Sequence, residues 1–296
     1  MKRWLWLMLI VLCWTGAGFA IFGAPSKSSP LPVPDRINRI ISMSPNITEI
    51  LFALGLDDKI VGVTLRSDYP RAAAEKPKVG TFWYPNIEAV IAARPDVVIT
   101  LDNERQQNFA RRLNRMGCRT LTVKTEKVDE LFAAVRRIGV ATARHIRAEK
   151  LLQGIESRLK NLSALVAAGE KPKVLWVVQR HPLRVAGAQT FVSEMITLAG
   201  GQNAIGPTIH EYPPIGGEQV IACAPDVIIE PTMELHDAAR QREIALKHWS
   251  RFTNVPAVKN GRIYVINGDA VSRLGPRLYE GTQTIAKCLY PQLLEN

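Results

Sequence analysis

Phe82, Trp83 and Tyr84 stand in an unbroken row in a chain whose aromatic content is only 7%. Three consecutive rings cannot all point into one core, so at least one faces outward. Aromatics clustered in a loop offer broad flat surfaces to a planar or greasy ligand; the same rings would also serve as caps on the hydrophobic edge of a sheet. Polar candidates occupy other loops: Arg66, Asp68 and Tyr69 after one strand-like run, Tyr212 between Glu211 and Pro213, and Asp269 with Arg273. The last two suit hydrogen bonds to a polar ligand edge, or pairing with each other at helical spacing. Asp102, Asn103, the run Arg180-His181-Pro182, His210 and the pair Thr232-Met233 fall in loops of the same kind.

Catalytic signatures are missing. The chain has no G-x-S-x-G, no G-x-x-x-x-G-K-S/T, no H-E-x-x-H and no G-x-G-x-x-G. The best nucleophile and base that can be assembled, Ser193 or Ser272 with His181 or His210, has no supporting spacing. Of the five histidines, His145 falls on a linking helix and the other four in the second half, so no metal held between two halves is expected. No residue is therefore assigned to catalysis, to a metal or to a resident cofactor.

The elements that must position these residues come in two sets, because the chain contains a rough copy of itself. Glu88 to Ile99 and Glu218 to Ile229 agree at eight of twelve positions. Ile47 to Gly55 pairs with Val192 to Gly200, and Gly117 to Val123 with Gly261 to Ile266, in the same order and at offsets of roughly 130 to 145 residues. So long a period means two whole lobes of similar fold rather than short repeats. Each half alternates strand and helix: Arg39–Met43, a helix opened by Ser44-Pro45 and ended by Gly55, Lys59–Val63, a helix from Ile87 to Ala93, Asp96–Thr100, a helix from Phe109 to Met116, and Arg119–Val123. Lys173 to Gln179 restarts the alternation, which runs through Asp226–Ile229 to Ile263–Ile266. The fold class is therefore α/β, with two Rossmann-like lobes of mostly parallel sheet. Between them one helix runs from Val128 to about Ile138, and a second, from about Thr142 to Ala168, is long enough to cross from lobe to lobe. The expected organisation is a segment 1–24, a linker 25–36, an N-terminal lobe 37–140, an interlobe helix 141–168 and a C-terminal lobe 169–296. Ligands in such sheets approach the carboxyl ends of the strands, and a cleft between like lobes is where one would sit.

Met1-Lys2-Arg3 followed by the uncharged run Trp4 to Ala20 reads as an export signal, or as a membrane anchor if it is not cleaved. Ser26 to Pro34 is a polar, proline-rich linker. Residues 1–24 carry two of the 38 basic residues and none of the 27 acidic ones, leaving +9 on the body. The positive residues are scattered in Arg111-Arg112, Arg136-Arg137 and Arg144 to Lys150 on helix-like stretches, which argues against nucleic acid as a partner. Beyond the signal only Cys118, Cys223 and Cys288 remain, an odd number, with one disulfide or none as the possibilities. Glu88 and Glu218, at equivalent places near helix starts, either favour the helix dipole or offer a matched pair of salt-bridge points to a pseudo-symmetric partner.

The runs Ile40 to Leu51, Ser67-Asp68-Tyr69-Pro70, Asn86-Ile87-Glu88 and Arg94 to Ile99 resemble the periplasmic substrate-binding proteins of ABC importers for vitamin B12, haem and ferric siderophores, most of all those that bind vitamin B12. The similarity covers about Arg36 to Leu294. It implies two Rossmann-like lobes on one helical backbone, a periplasmic location, and capture of a corrinoid such as cobalamin, or of an iron chelate in the alternative. It also implies a monomer delivering its ligand to a permease dimer with ATPase subunits. By resemblance Glu88 and Glu218 are the docking glutamates, Tyr212 is the ring that stacks on the corrinoid, Phe82 with Trp83 matches the N-lobe tryptophan, and Asp269 and Arg273 match a polar pair at the cleft. The chain departs from the pattern at Arg66, where a tyrosine is expected, at Leu101, where a tryptophan is, and at Ala199, which leaves Cys288 without the relatives' disulfide partner.

Overall fold

The computed structural model describes residues 37–167, 169–233 and 238–294. The expected signal or anchor and the linker, residues 1–36, lie outside them, as does His236. Strand β1 (Ile40–Ser42) leads to α1 (Pro45–Ala53), β2 (Ile60–Val63), α2 (Arg71–Ala74), α3 (Ile87–Ala92), β3 (Val97–Leu101), α4 (Glu104–Arg115), β4 (Thr120–Val123) and α5 (Val128–Ala141). Helix α6 (His145–Val166) carries the chain to the second half. That half comprises β5 (Lys173–Arg180), β6 (Leu183–Val185), α7 (Phe191–Leu198), β7 (Gln202–Asn203), α8 (Gly217–Cys223), β8 (Val227–Thr232), α9 (Ala238–Trp249), α10 (Pro256–Lys259), β9 (Ile263–Asn267), α11 (Leu278–Leu289) and α12 (Pro291–Leu294).

The described residues form two sheets. The first has order β2-β1-β3-β4 and is parallel throughout. The second has order β6-β5-β8-β9, with short β7 also on β5; only the β5–β6 pair is antiparallel. Central strands read as apolar runs because both faces are covered: Ile40, Ile41, Val98, Ile99, Val174, Leu175, Ile228 and Ile229 are all fully buried.

The internal repeat is visible in backbone detail. Each of its three segments places a positive φ at the same point: two use glycine, Gly55 and Gly200 (φ +65° and +85°) and Gly117 and Gly261 (φ +79° and +64°), while in the third Arg94 and Ala224, before the repeated Pro-Asp, adopt φ +44° and +41°. Asp96 then accepts hydrogen bonds from the Asn38 and Arg39 amides at 2.7 and 2.9 Å, and Asp226 accepts one from Lys173 N at 2.8 Å. In both lobes this aspartate ties the start of the repeated strand to the start of the strand beside it.

Helix α6 is 22 residues long, about 33 Å at 1.5 Å per residue, shorter than the span from Thr142 to Ala168 because the chain breaks at Ala143 (φ +55°). Its first turns face the N-lobe, where Arg147 donates to Leu54 O at 3.2 Å; its later turns face the C-lobe through Arg158–Glu280 at 2.9 Å and Ser163 to Leu198 O at 3.3 Å. Leu152, Ile155, Leu159 and Leu162 on this helix join Ile50 and Ile138 of one lobe to Trp176, Ile196 and Ile285 of the other in a single buried cluster. Each such side chain contributes about 1.5–3 kcal/mol by leaving water.

Three other differences from the sequence reading have local causes. Helix α4 begins at Glu104, not Phe109, because Asn103 caps it, its side chain accepting from Gln106 N at 3.0 Å. Ser44 stands at the cap of α1, but its side chain does not cap; Ser44 Oγ turns instead to Asn46 Oδ1. The β5–β6 hairpin, closed at Arg180 and Leu183, has no counterpart in the first lobe and no glycine-rich turn to announce it.

Candidate functional site

A cavity of about 930 Å³ opens between the lobes at the carboxyl ends of their strands. Its N-lobe wall is built by Pro45 after β1, by Leu65, Arg66, Asp68 and Tyr69 after β2, and by Thr81 to Tyr84 ahead of α3; the C-lobe supplies Met233, Asn267, Asp269 and Arg273 after β8 and β9. Eight of the nine ligand-site residues nominated from sequence thus share one wall-to-wall space. Tyr212 is not among the lining residues. It is partly buried against the interlobe core, its carbonyl accepts from Arg184 at 3.2 Å, and burial, with Glu211 and Glu126 nearby, pushes its phenol up to about 12.

The aromatic row forms a preset tip. Thr81 N donates to Tyr84 O at 3.0 Å and Tyr84 N to Thr81 Oγ1 at 2.8 Å, closing a tight turn. Gly80 enters it at φ +98°, and a Cβ there would lie 2.6 Å from both Tyr84 O and Asn86 N, so only glycine fits. Helix α4 holds the tip from behind: buried Gln106 donates to Phe82 O at 3.0 Å and Arg105 to Trp83 O at 3.2 Å. Phe82 and Trp83 meet edge to face with centroids 4.8 Å apart. Trp83 and Tyr84 remain 61% and 77% exposed, an apolar surface standing open to solvent.

Beneath this wall an ion network crosses between the lobes. Glu49 on α1, only 4% exposed, accepts from Arg277 Nε at 2.8 Å and from its NH2 at 2.6 Å. The same guanidinium reaches Asp269 at 2.6 Å and lies 3.7 Å over the Tyr69 ring. Arg273 contacts Asp68 at 2.8 Å, Asp269 at 3.3 Å and Glu49 at 4.0 Å. Burial pushes the Glu49 carboxyl above the usual carboxylate range in spite of the bonds and charge of Arg277. Burial works against the Arg277 charge as well, yet its bonds to Glu49 and Asp269 hold it above the ordinary guanidinium value. Burial would raise Asp68 too, but the hydrogen bond and charge of Arg273 outweigh it and hold that carboxyl low. Asp269 and Arg273 therefore both line the cavity and pair with each other. Glu49 and Arg277 were not nominated from sequence; 228 residues separate them and no spacing rule links such positions.

Glu88 and Glu218 are exposed in the first turns of α3 and α8, and neither makes an ion pair among the described residues. Arg180 is turned away from ligand duty by Glu230, which also accepts from Trp249 Nε1 at 2.6 Å. His181 packs edge to face on His248 with centroids 5.3 Å apart. Asn103 caps α4 and Asp102 pairs with Lys124 at 4.0 Å. Cys118, Cys223 and Cys288 are free thiols. Among the described residues no group of three or more metal-type side chains converges, and no helix is long and apolar enough to cross a membrane.

Two α/β lobes braced by one helix, with an aromatic cleft between them, make an architecture suited to holding a small molecule. Residues 40–270 match the family described as periplasmic binding protein, and the chain belongs to that family. The ABC transporter substrate-binding lipoprotein YvrC of Bacillus subtilis is 28% identical over 311 residues, covering 97% of this chain and 96% of its own. The vitamin B12-binding protein BtuF of Vibrio cholerae superposes with a TM-score of 0.75 at 26% identity, covering 86% of this chain and 97% of that one. The heme-binding protein HutB of Vibrio cholerae does so with a TM-score of 0.76 at 26% identity, covering 86% and 99%. Family and fold are those of solute-binding proteins rather than enzymes. The chain is the substrate-binding component of an ABC importer, a class that works with a permease and an ATPase.

Proposed function

We propose that this chain captures a corrinoid such as cobalamin in the interlobe cleft, outside the cytoplasmic membrane, and hands it to the importer's permease. The observation that carries this reading is the pairing of an open aromatic wall with a floor whose arginines already have carboxylate partners. Phe82, Trp83 and Tyr84 offer flat apolar contact, while Arg273 and Arg277 are already matched by Asp68, Asp269 and Glu49. A highly anionic ferric siderophore would have to displace those carboxylates, whereas a near-neutral macrocycle would not. Similarity to a vitamin B12 binder accords with this reading, and the equal similarity to a heme binder accords with the second.

A second reading, haem or another iron chelate, draws on the two phenols that line the cavity, Tyr69 and Tyr84, as ligands for ferric iron. Titration of the purified protein with cyanocobalamin, hemin and a ferric siderophore, followed by tryptophan quenching and absorbance, separates the readings. No cyanocobalamin binding at high micromolar concentration would defeat the first.

In this proposal Glu88 and Glu218 dock on a permease dimer, one from each lobe, and the carrier acts as a monomer tethered, if at all, by its N-terminal segment. Charge reversal at either glutamate would leave ligand affinity unchanged and abolish uptake in vesicles carrying the permease and ATPase. Undiminished uptake by the doubly reversed protein would refute the docking assignment.

A further inference from the structure

We propose that Arg66 reads the charge of the ligand, pairing with one anionic oxygen group on the rim of a planar macrocycle; this rests on the reading of the cleft given above. Four charged side chains line the cavity: Arg66, Asp68, Asp269 and Arg273. Both carboxylates are taken by C-lobe arginines, Asp68 by Arg273 at 2.8 Å and Asp269 by Arg277 at 2.6 Å. Arg66 is exposed to the cavity and makes no ion pair or hydrogen bond among the described residues. The site as a whole is balanced, with two cations and two anions on its wall and the pair Glu49–Arg277 behind it. Such a wall suits a ligand of little net charge that carries one localised negative group.

Arg66 stands on the loop tied to the base of the aromatic turn. Leu65 N donates to Gly80 O at 2.9 Å, so the backbone next to Arg66 is fixed to the residue that enters the aromatic turn. Arg66, Phe82 and Trp83 line the same cavity, so a planar ligand stacked on one of those rings shares that space with the guanidinium. A phosphodiester appended to a corrin ring and a carboxylate appended to a porphyrin share this chemistry, since either accepts charge-assisted hydrogen bonds from a guanidinium.

The test uses matched ligands that differ in that group. Cyanocobalamin carries the phosphodiester and dicyanocobinamide lacks it; hemin carries free carboxylates and its dimethyl ester does not. Affinities are measured for the unmodified protein, Arg66→Gln and Arg66→Lys. Arg66→Gln is expected to weaken the anionic member of whichever pair binds by roughly tenfold and to leave its uncharged partner unchanged, while Arg66→Lys keeps affinity within about threefold. The discrimination should shrink as salt is raised. The pair that shows it identifies the source of the charge. Equal weakening of both members, or no change in either, overturns the role of Arg66 alone. Failure of the unmodified protein to bind any of the four macrocycles overturns the cleft reading and this inference together.

Discussion

Removing the Arg277 side chain should cost the fold far more than its place at the rim of a cleft suggests. Glu49 is 3% exposed at its side chain and takes both of its close hydrogen bonds from Arg277, at 2.6 and 2.8 Å. Arg277→Ala leaves that carboxylate buried without its main partner, a change that costs about 3–5 kcal/mol in comparable sites. Arg273 stays at 4.0 Å and offsets part of the loss, which places the expected value near the lower end, about 3 kcal/mol. In a unit of this size, with roughly 2–4 °C per kcal/mol, the melting temperature should fall by about 6–12 °C. The pair itself need not be stabilising, because the double variant Glu49→Leu with Arg277→Met removes both charges and should return to within about 1.5 kcal/mol of the parent. Thermal and urea unfolding of the three proteins at neutral pH provide the comparison. A single variant that melts within about 2 °C of the parent, or a double variant no better than the single, would show that Glu49 is not the buried charge described here.

Asp68 makes a pH-dependent contribution. Its carboxyl is held below its ordinary range by the hydrogen bond and charge of Arg273, against the effect of burial, so the stability it supplies is present above that range and is lost as pH falls through the folded value. Asp68→Asn should flatten the fall in melting temperature on the acid side, and an unchanged acid limb would contradict the Arg273 contact. Gly80→Ala forces a Cβ to within 2.6 Å of two backbone atoms at φ +98° and should cost about 2–3 kcal/mol while shifting the near-ultraviolet circular dichroism of the aromatic tip. Trp83→Ala, at a 61% exposed side chain, should leave stability within about 0.5 kcal/mol yet weaken ligand binding roughly tenfold. Tyr212→Ala should leave the affinity of the folded protein within about twofold, and the reverse ranking in a titration would place the ligand against Tyr212 instead.

The sequence was most legible where structure repeats a local rule. The paired glycines Gly55 and Gly200, and Gly117 and Gly261, mark backbone that side chains avoid, and all four adopt positive φ. The apolar runs Asp96–Thr100 and Asp226–Ile229 locate central strands to within a few residues. Loops after strand ends gave most of the cavity wall for the same reason, since parallel sheets leave that edge for ligands. What could not be read is long-range pairing. Nothing local announces that Glu49 meets Arg277, that Glu230 will occupy Arg180, or that Gln106 on α4 supports Phe82. The resemblance likewise implies a cleft role for Tyr212, which in this chain is partly buried against the core and outside the residues lining the cavity. Asn103, read as a loop group, spends its side chain on a helix end, which competes with any other use.

One consequence follows from the way Leu152, Ile155, Leu159 and Leu162 are shared. A rod that buries its flank against both partners at once is not a tether between independent bodies; it is common interior. Either half, made alone, would carry a bare oily stripe where the rod and the other half had been, and would associate with its own kind or be degraded. The two like halves are therefore mutually dependent, and neither can be lost, exchanged or redesigned without rebuilding the seam they hold in common.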